Sequence, residues 1–205
     1  MVAGRRAQAA EETRARLLRA ARKAFAAKGY AEASMDELTA EAGLTRGALY
    51  HSFGGKPGLL QAVIDQIDAE MLERLRIVRE KAGSGWPGLL AESVAYIEMA
   101  LEPEIQRIML LDGPAVLGDP SRWPNQTACL RATTRTIETL IADGVIAPVD
   151  PEAAARLLNG AALNASLWVA AADDPPAVLA KATDAFRLLA TGLLKPKSSA
   201  AQVSG

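Results

Sequence analysis

Residues 34 to 60 read Ser-Met-Asp-Glu-Leu-Thr-Ala-Glu-Ala-Gly-Leu-Thr-Arg-Gly-Ala-Leu-Tyr-His-Ser-Phe-Gly-Gly-Lys-Pro-Gly-Leu-Leu, which predicts two short helices, a tight turn and the start of a third helix. Ser34 and Glu37 form an S-x-x-E capping box, which satisfies backbone donors at a helix start. Gly43 follows where a helix end favours a left-handed residue. The next helix leads with the cation Arg46. This helix-turn-helix pattern suits the major groove of DNA.

A family resemblance rests on the same residues. The run Gly43-Leu44-Thr45-Arg46-Gly47-Ala48-Leu49-Tyr50-His51-Ser52-Phe53-Gly54-Gly55-Lys56 resembles the helix-turn-helix signature of TetR-family transcriptional repressors. The likeness extends from about Thr13 to about Leu60, near the N-terminus, where that family keeps its DNA-binding domain. One departure is Pro57-Gly58, where the family more often has acidic or small helix-forming residues. Because proline is tolerated in the first turn of a helix, we expect a normal helix start there.

Several side chains of this region are expected to contact DNA. Arg46 can donate in a planar fork to guanine O6 and N7, and a lysine at a helix start suits phosphate. The resemblance places Tyr50 and His51 on backbone phosphates. The predicted contact set is Ser34, Thr45, Arg46, Gly47, Tyr50, His51 and Lys56. Arg5 and Arg6 are expected in a flexible arm that enters the minor groove.

Charge is distributed unevenly along the 205 residues, although the net charge is only −1. Residues 1 to 60 carry ten Lys/Arg and six Asp/Glu, a net +4, so the other 145 residues carry 13 and 18, a net −5. A basic N-terminal part on an acidic remainder is typical of a phosphate-binding module joined to a module that does not bind nucleic acid. Ordinary solvated surface would also produce a difference of this size.

Other classes of protein are disfavoured by what the sequence lacks. It holds no window of about 18 apolar residues that could span a membrane and no signal peptide. The single cysteine, Cys129, excludes an internal disulfide and fits a reducing cytoplasm. No phosphate-binding glycine loop, nucleophile motif or cluster of metal ligands is present, and a lone histidine builds no metal site. We therefore expect a cytoplasmic protein that is not an enzyme, with no cofactor, no metal and no membrane partner.

Hydrophobic periodicity predicts an all-α fold of about nine helices. A three-helix N-terminal helix-turn-helix domain (1–56) is expected to precede a larger helical ligand-binding and dimerisation domain (57–195) and a disordered tail (196–205). Besides the two short helices of the motif, the predicted helices span 11–28, 57–81, 87–102, 104–111, 124–143, 151–172 and 175–194. The stretch Gly113 to Trp123 is expected to be a loop because of its prolines and glycines.

The last two helices are the expected homodimer element, since small and large apolar residues alternate along them and four such helices from two chains make a bundle. The interface set is Leu158, Ala161, Ala162, Ala165, Phe186, Leu189 and Leu193. The alternative is that these residues belong to the core of one chain.

The family resemblance implies a pocket for a small apolar or amphipathic effector, whose occupancy moves helix 57–81 and releases the protein from a palindromic double-stranded DNA operator. The candidate lining residues are Tyr96, Met99, Met109, Leu110, Trp123, Cys129, Asn159, Leu163 and Trp168. Asn159 and Asn164 either bind ligand or bond across the dimer, because amides on an apolar helix need partners. The alternative function is a DNA-binding dimer that has no small-molecule ligand and is regulated by a protein partner.

Overall fold

The computed structural model describes residues 2–196, with side chains described from Gln8 onward. Of the predicted tail 196–205, all but Pro196 lies outside the described residues. The α-helices are α1 (Val2–Lys28), α2 (Met35–Ala42), α3 (Arg46–Phe53), α4 (Lys56–Ala82), α5 (Trp86–Glu98), α6 (Gly113–Leu117), α7 (Pro124–Ala142), α8 (Pro151–Ala170) and α9 (Pro175–Thr191). Apart from one isolated bridge between Ile146 and Leu194, the described chain is helix and loop. The predicted all-α fold is confirmed.

The first three helices are here called the head. The starts of α2 and α3 and the end of α2 carry the capping residues that the sequence predicts. Ser34 Oγ accepts a hydrogen bond from the Glu37 amide at 3.1 Å, and Thr45 Oγ1 accepts one from the Ala48 amide at 3.2 Å. Gly43 ends α2 in the left-handed region with φ 64°. Each cap satisfies a backbone group that would otherwise lack a partner at a helix end. The fully buried apolar side chains inside the head include Leu17, Ala21, Phe25, Ala33, Leu38 and Leu49.

The first helix is longer than predicted. It begins at Val2 rather than at residue 11, because six of the nine residues 2–10 are alanine or arginine, which favour helix. The prediction of a flexible arm for Arg5 and Arg6 was therefore wrong for the backbone. Their side chains lie outside the described part of the structure.

The long helix α4 joins the head to the rest of the protein, here called the body. Its proline stands in the first turn, as predicted. Gly58 sits so close to α3 that a Cβ there would lie 1.9 Å from the carbonyl oxygen of Phe53. The apolar stripe of α4 is buried along Leu60, Val63, Ile64, Ile67, Met71 and Leu75. One continuous helix therefore runs from the edge of the head into the core of the body.

The middle of the chain departs most from prediction. The helix predicted for 87–102 ends as α5 at Glu98 and continues as a 3-10 turn, Met99–Leu101, since the residue before Pro103 adopts an extended ψ of 122°. The helix predicted for 104–111 is a π-helix, Ile105–Asp112. The prediction of a loop for Gly113 to Trp123 was wrong in part: Pro114 is accommodated in the first turn of α6, and Pro120–Arg122 forms a 3-10 turn.

The last two helices, α8 and α9, pack against each other, with their starts capped by Asp150 and Asp174. Of the predicted interface residues, Leu158, Ala162 and Phe186 are buried within the chain, Leu189 is 70% exposed, and Ala161, Ala165 and Leu193 are half-buried. Periodicity could not separate the two sides of α8, because both are apolar. A face outside the core carries the exposed side chains Leu157, Trp168, Leu188 and Leu189. No helix in residues 2–196 is long and apolar enough to cross a membrane.

Candidate DNA interface and candidate ligand cavity

The leading edge of α3 is open to solvent. Thr45, Arg46, Gly47, Tyr50 and His51 are exposed there. A Cβ added at Gly47 would meet only the hydroxyl of Thr45, at 3.7 Å, so nothing covers this end of the helix. The start of α3 can therefore approach a groove closely, and its first free amides point outward. Of the other residues in the predicted contact set, Ser34 is exposed at the start of α2, and Lys56 is half-buried at the start of α4.

Arg46 already has a partner inside the head. Its Nε and Nη2 donate to the two carboxylate oxygens of Asp36 on α2, each at 2.5 Å. The guanidinium holds the pKa of Asp36 below its usual range, so this carboxylate stays ionised. Both side chains are more than 60% exposed, which makes the pair accessible to competitors. The fork that suits guanine is thus occupied by a carboxylate that DNA would have to replace.

Lys56, the first residue of α4, is held against the turn that joins α1 to α2. Its Nζ donates to the carbonyl oxygen of Ala31 at 3.3 Å and lies 4.3 Å from the centre of the Tyr30 ring. The Tyr30 ring packs in turn against Phe25, 5.6 Å between centroids. These contacts fix the ammonium beside the first turn of α4, where the helix dipole also favours phosphate.

A cleft of about 690 Å³, counting the space at its mouth, opens between four helices of the body. Its walls are mainly apolar. The lining residues are Asp68, Met71, Leu72 and Leu75 of α4, Leu89, Glu92, Ser93 and Tyr96 of α5, Asn125, Gln126, Cys129 and Thr133 of α7, and Asn159, Ala162 and Leu163 of α8. A mainly apolar wall that carries several polar groups is typical of a small-molecule site.

A second, narrower chamber adjoins this cleft. Both chambers share Asp68, Tyr96, Asn125, Gln126 and Leu163, so they lie side by side, and together they are called the cavity. The second chamber adds residues from the start of α4, the π-helix and the 3-10 turn, namely Gln61, Ile64, Asp65, Met109, Leu110, Pro120 and Trp123. The cavity therefore extends from α8 to the π-helix.

The candidate lining residues fall into two groups. Tyr96, Cys129, Asn159 and Leu163 line the cleft, and Met109, Leu110 and Trp123 line the second chamber. Met99 is buried but lines neither chamber. Trp168 is 51% exposed and lies outside the cavity. It follows Leu163 by five residues, a rotation of about 140° beyond a full turn, which carries it to the other side of α8.

The two asparagines of α8 also occupy different sides. Asn159 faces the cavity, where its amide nitrogen lies 3.7 Å from Cys129 Sγ and its amide oxygen accepts a bond from Thr133 Oγ1 at 3.3 Å. Asn164 is exposed on the side that carries Trp168. Burial raises the pKa of the Cys129 thiol, so the sulfur remains a neutral thiol rather than a reactive thiolate.

Sequence reasoning missed the three carboxylates of the cavity, Asp65, Asp68 and Glu92. Asp68 lies on the apolar stripe of α4, four residues after Ile64 and seven before Leu75. Its Oδ2 is buried with no hydrogen-bond partner among the described residues, and burial raises its pKa. Glu92 is paired with Arg79 at 2.9 Å, and Arg79 also donates to Thr136 Oγ1 at 2.8 Å. A carboxylate inside an apolar helical stripe was the available signal for Asp68.

Two family models match the chain. The model described as "Bacterial regulatory proteins, tetR family" matches residues 17–63, and the model "Tetracyclin repressor-like, C-terminal domain" matches residues 86–193. The chain is 31% identical over 133 residues to the HTH-type transcriptional regulator UidR of Escherichia coli, a match that covers 65% of this chain and 64% of UidR. The chain thus spans less than two thirds of the length of the curated relatives that it matches.

Solved structures show the same architecture. A TetR-family transcriptional regulator from Pectobacterium atrosepticum is 52% identical, with a TM-score of 0.83 over 93% of this chain and 98% of that chain. Thermus thermophilus FadR, a TetR-family repressor in complex with lauroyl-CoA, is 22% identical, with a TM-score of 0.67 over 94% of this chain and 99% of that chain. At that identity, the likeness to FadR shows the fold alone.

Proposed function

The chain belongs to the TetR family of DNA-binding transcriptional regulators, and we propose that it is a repressor that a small-molecule ligand releases from a palindromic operator. In this proposal, residues 1–56 bind DNA and residues 57–195 bind the ligand and dimerise. The observation that carries the proposal is that α4 belongs to both sites. Its first residue, Lys56, stands in the candidate DNA interface, and Asp68 and Met71 further along it line the cavity.

The proposed DNA contacts are those of the open edge of α3 and its surroundings. Arg46 leaves Asp36 and donates to a guanine, and Thr45 contacts a phosphate or a thymine methyl. Gly47 allows the close approach. Tyr50, His51, Lys56 and Ser34 contact phosphates on either side. The head thus divides its contacts between one base-reading residue and several that fix its position on the duplex.

A second route from the cavity to the head runs through the π-helix. On one side, Met109 and Leu110 line the cavity. On the other side, Arg107 donates to the carbonyl oxygen of Lys28 at 3.0 Å, and Asp112 accepts from the amide of Tyr30 at 2.7 Å. A ligand that pushes on Met109 and Leu110 would displace the end of α1. The π-helix suits this role, since its wider turn is less stable than an α-helical one.

Ion pairs also join the head to the body near the contacts between the π-helix and α1. Arg22 of α1 donates to Glu70 of α4 at 2.6 and 2.7 Å, and to Glu104, which precedes the π-helix, at 2.7 Å. Two elements that line the cavity therefore meet one arginine of the head. We propose that ligand binding changes the relative position of α4 and the π-helix, so that Arg22 cannot satisfy both carboxylates and the head rotates.

We propose that the exposed face of α8 and α9 is the dimer interface. It carries large apolar side chains that the chain itself leaves in solvent, including Trp168 and Leu189. Asn164 on this face would bond across the two-fold axis, whereas Asn159 serves the cavity. Two copies would make a four-helix bundle and hold two heads for two half-sites about one helical turn apart. A charge introduced by Trp168→Glu should convert the dimer into a monomer in sedimentation, with Ile77→Glu, an exposed position on α4 that does not line the cavity, as the control.

The test of the proposed function is a footprint on the DNA that flanks the protein's own gene, repeated with a panel of small amphipathic compounds. We expect protection of a palindrome by the native protein, no protection by Arg46→Ala, and loss of protection with at least one compound that also raises the melting temperature. Protection that no compound relieves would instead favour a dimer regulated by a protein partner. Turnover of a compound that is unaffected by changes at Tyr50 and His51 would indicate an enzyme.

A further inference from the structure

Among the described residues, the acidic and basic side chains that line the cavity are all carboxylates. Three carboxylates line its two chambers, Asp65, Asp68 and Glu92. No lysine, arginine or histidine lines either chamber within the part of the chain that the structure describes. Two of the three carboxylates have partners: Glu92 is paired with Arg79, and Asp65 accepts from Gln61 Nε2 at 2.9 Å. Asp68 is the carboxylate that keeps a buried oxygen without a partner.

We infer that the effector is a lipophilic cation, a protonated amine whose ammonium group donates to the carboxylate of Asp68. This inference rests on the proposed function, because it takes the cavity to be the effector site. It goes beyond that function by assigning the chemical class of the effector and the residue that selects it.

The energetic argument starts from the cost of the free oxygen. A buried acceptor that has lost its water and gained no donor destabilises the protein, and more so when it carries charge. Asn125 lies near Asp68 and favours its charged form, but burial outweighs this effect and the pKa of Asp68 is raised. An ammonium group supplies both the missing donor and the opposite charge, and in a site shielded from water such a pair is stronger than on a surface. An anionic ligand would instead place a like charge beside Asp68.

The walls around Asp68 fit the rest of such a molecule. Tyr96 and Trp123 line the second chamber together with Asp68, and aromatic rings attract a cation that lies over their faces. Trp123 Nε1 is also buried without a partner among the described residues, so an ether, hydroxyl or carbonyl oxygen on the same ligand could accept a hydrogen bond from it. In the cleft, Met71, Leu75 and Leu89 present an apolar wall to a hydrocarbon portion. The cavity is thus shaped for an amphiphile with a cationic end.

Three probes of one chain length separate the charge of the head group from the apolar contribution: decylamine, 1-decanol and decanoate at neutral pH. We expect calorimetric titration to give the amine an affinity at least about tenfold above that of the alcohol, as a hydrogen bond to a charged group predicts, and decanoate the weakest binding. Asp68→Asn should reduce the amine to the level of the alcohol and leave the alcohol unchanged. Glu73→Gln, an exposed carboxylate on the same helix, should change none of the three.

Folding of the variant is checked by its melting temperature, and Asp68→Ala repeats the test if the asparagine is unsuitable. Decanoate binding as tightly as decylamine, no binding of any probe, or a preference for the amine that survives both changes would overturn the inference. Operator binding measured with the same probes distinguishes the two proposals. If decylamine binds through Asp68 but leaves operator affinity unchanged, the cation site stands and ligand release fails. If decanoate alone releases the operator, release stands and the cation site fails.

Discussion

In the head, the cations proposed to contact DNA already have partners within the protein. In the cavity of the body, two buried polar atoms have no partner among the described residues. In the head, Arg46 is bonded twice to Asp36, and Lys56 rests on Tyr30 and the carbonyl of Ala31. In the body, Asp68 Oδ2 and Trp123 Nε1 are buried with no partner among the described residues. DNA must therefore replace bonds that exist, whereas a ligand supplies bonds that are missing.

This difference bears on how the two sites respond. When the head binds DNA, the contacts that Arg46 and Lys56 give up inside the protein reduce the free energy gained from the contacts with DNA. Binding by the body gives partners to buried polar atoms that the described residues leave without one, so a matching ligand gains more than its apolar contacts alone. A regulator that must release DNA when a ligand arrives benefits from both properties.

The largest effect is expected for Arg46→Ala. Loss of the fork should lower affinity for the operator roughly ten- to a hundredfold, and it should relax sequence preference at one position in each half-site. Affinities for operators substituted at single positions provide the measurement, and Arg76→Ala, an arginine of α4 that is also paired with carboxylates, provides the control. An equal loss on every sequence would make Arg46 a phosphate contact.

Lys56→Ala should weaken binding on all sequences alike. Removing one phosphate contact reduces the slope of log affinity against log salt concentration by about one. Lys81→Ala at the other end of the same helix should leave the slope unchanged. If Lys56→Ala also left the slope unchanged, Lys56 would not be a phosphate contact of the head.

Asp36→Asn tests whether the internal partner of Arg46 competes with DNA. With the carboxylate gone, the guanidinium is free, and operator affinity should rise a few-fold. The rise should disappear in the double variant with Arg46→Ala, because only the coupling between the two residues is at issue. A rise of equal size in the Arg46→Ala background would mean that Asp36 acts by repelling phosphates directly.

Asp68→Asn should stabilise the ligand-free protein by a few degrees in melting temperature, since it removes a buried charge without a full set of partners. The folded protein raises the pKa of Asp68 above its value in the unfolded chain, so its contribution to stability is fully present below about pH 4 and is lost as pH rises through the folded pKa. The advantage of the variant should therefore be absent near pH 4 and grow toward pH 7. Melting curves at four pH values would show it, and a variant less stable at pH 7 would contradict it.

The head could be predicted from the sequence in more detail than the body. The caps by Ser34 and Thr45 and the left-handed Gly43 are local signals, because each depends on residues within a few positions, and they specify the geometry of the head. The π-helix, the free oxygen of Asp68 and the outward position of Trp168 depend on how distant helices pack. Asp68 was visible as an acidic residue in an apolar stripe, yet only the packing of α5 and α7 against α4 decides whether it finds a partner.

We propose that occupancy of the cavity lowers the affinity of the head for DNA. The most direct measurement is operator affinity of the native protein and of Asp68→Asn across a titration of decylamine, at concentrations where calorimetry shows binding. We predict that affinity falls with occupancy in the native protein and stays constant in the variant. A native protein that binds decylamine through Asp68 and holds its operator as tightly as before would contradict the claim.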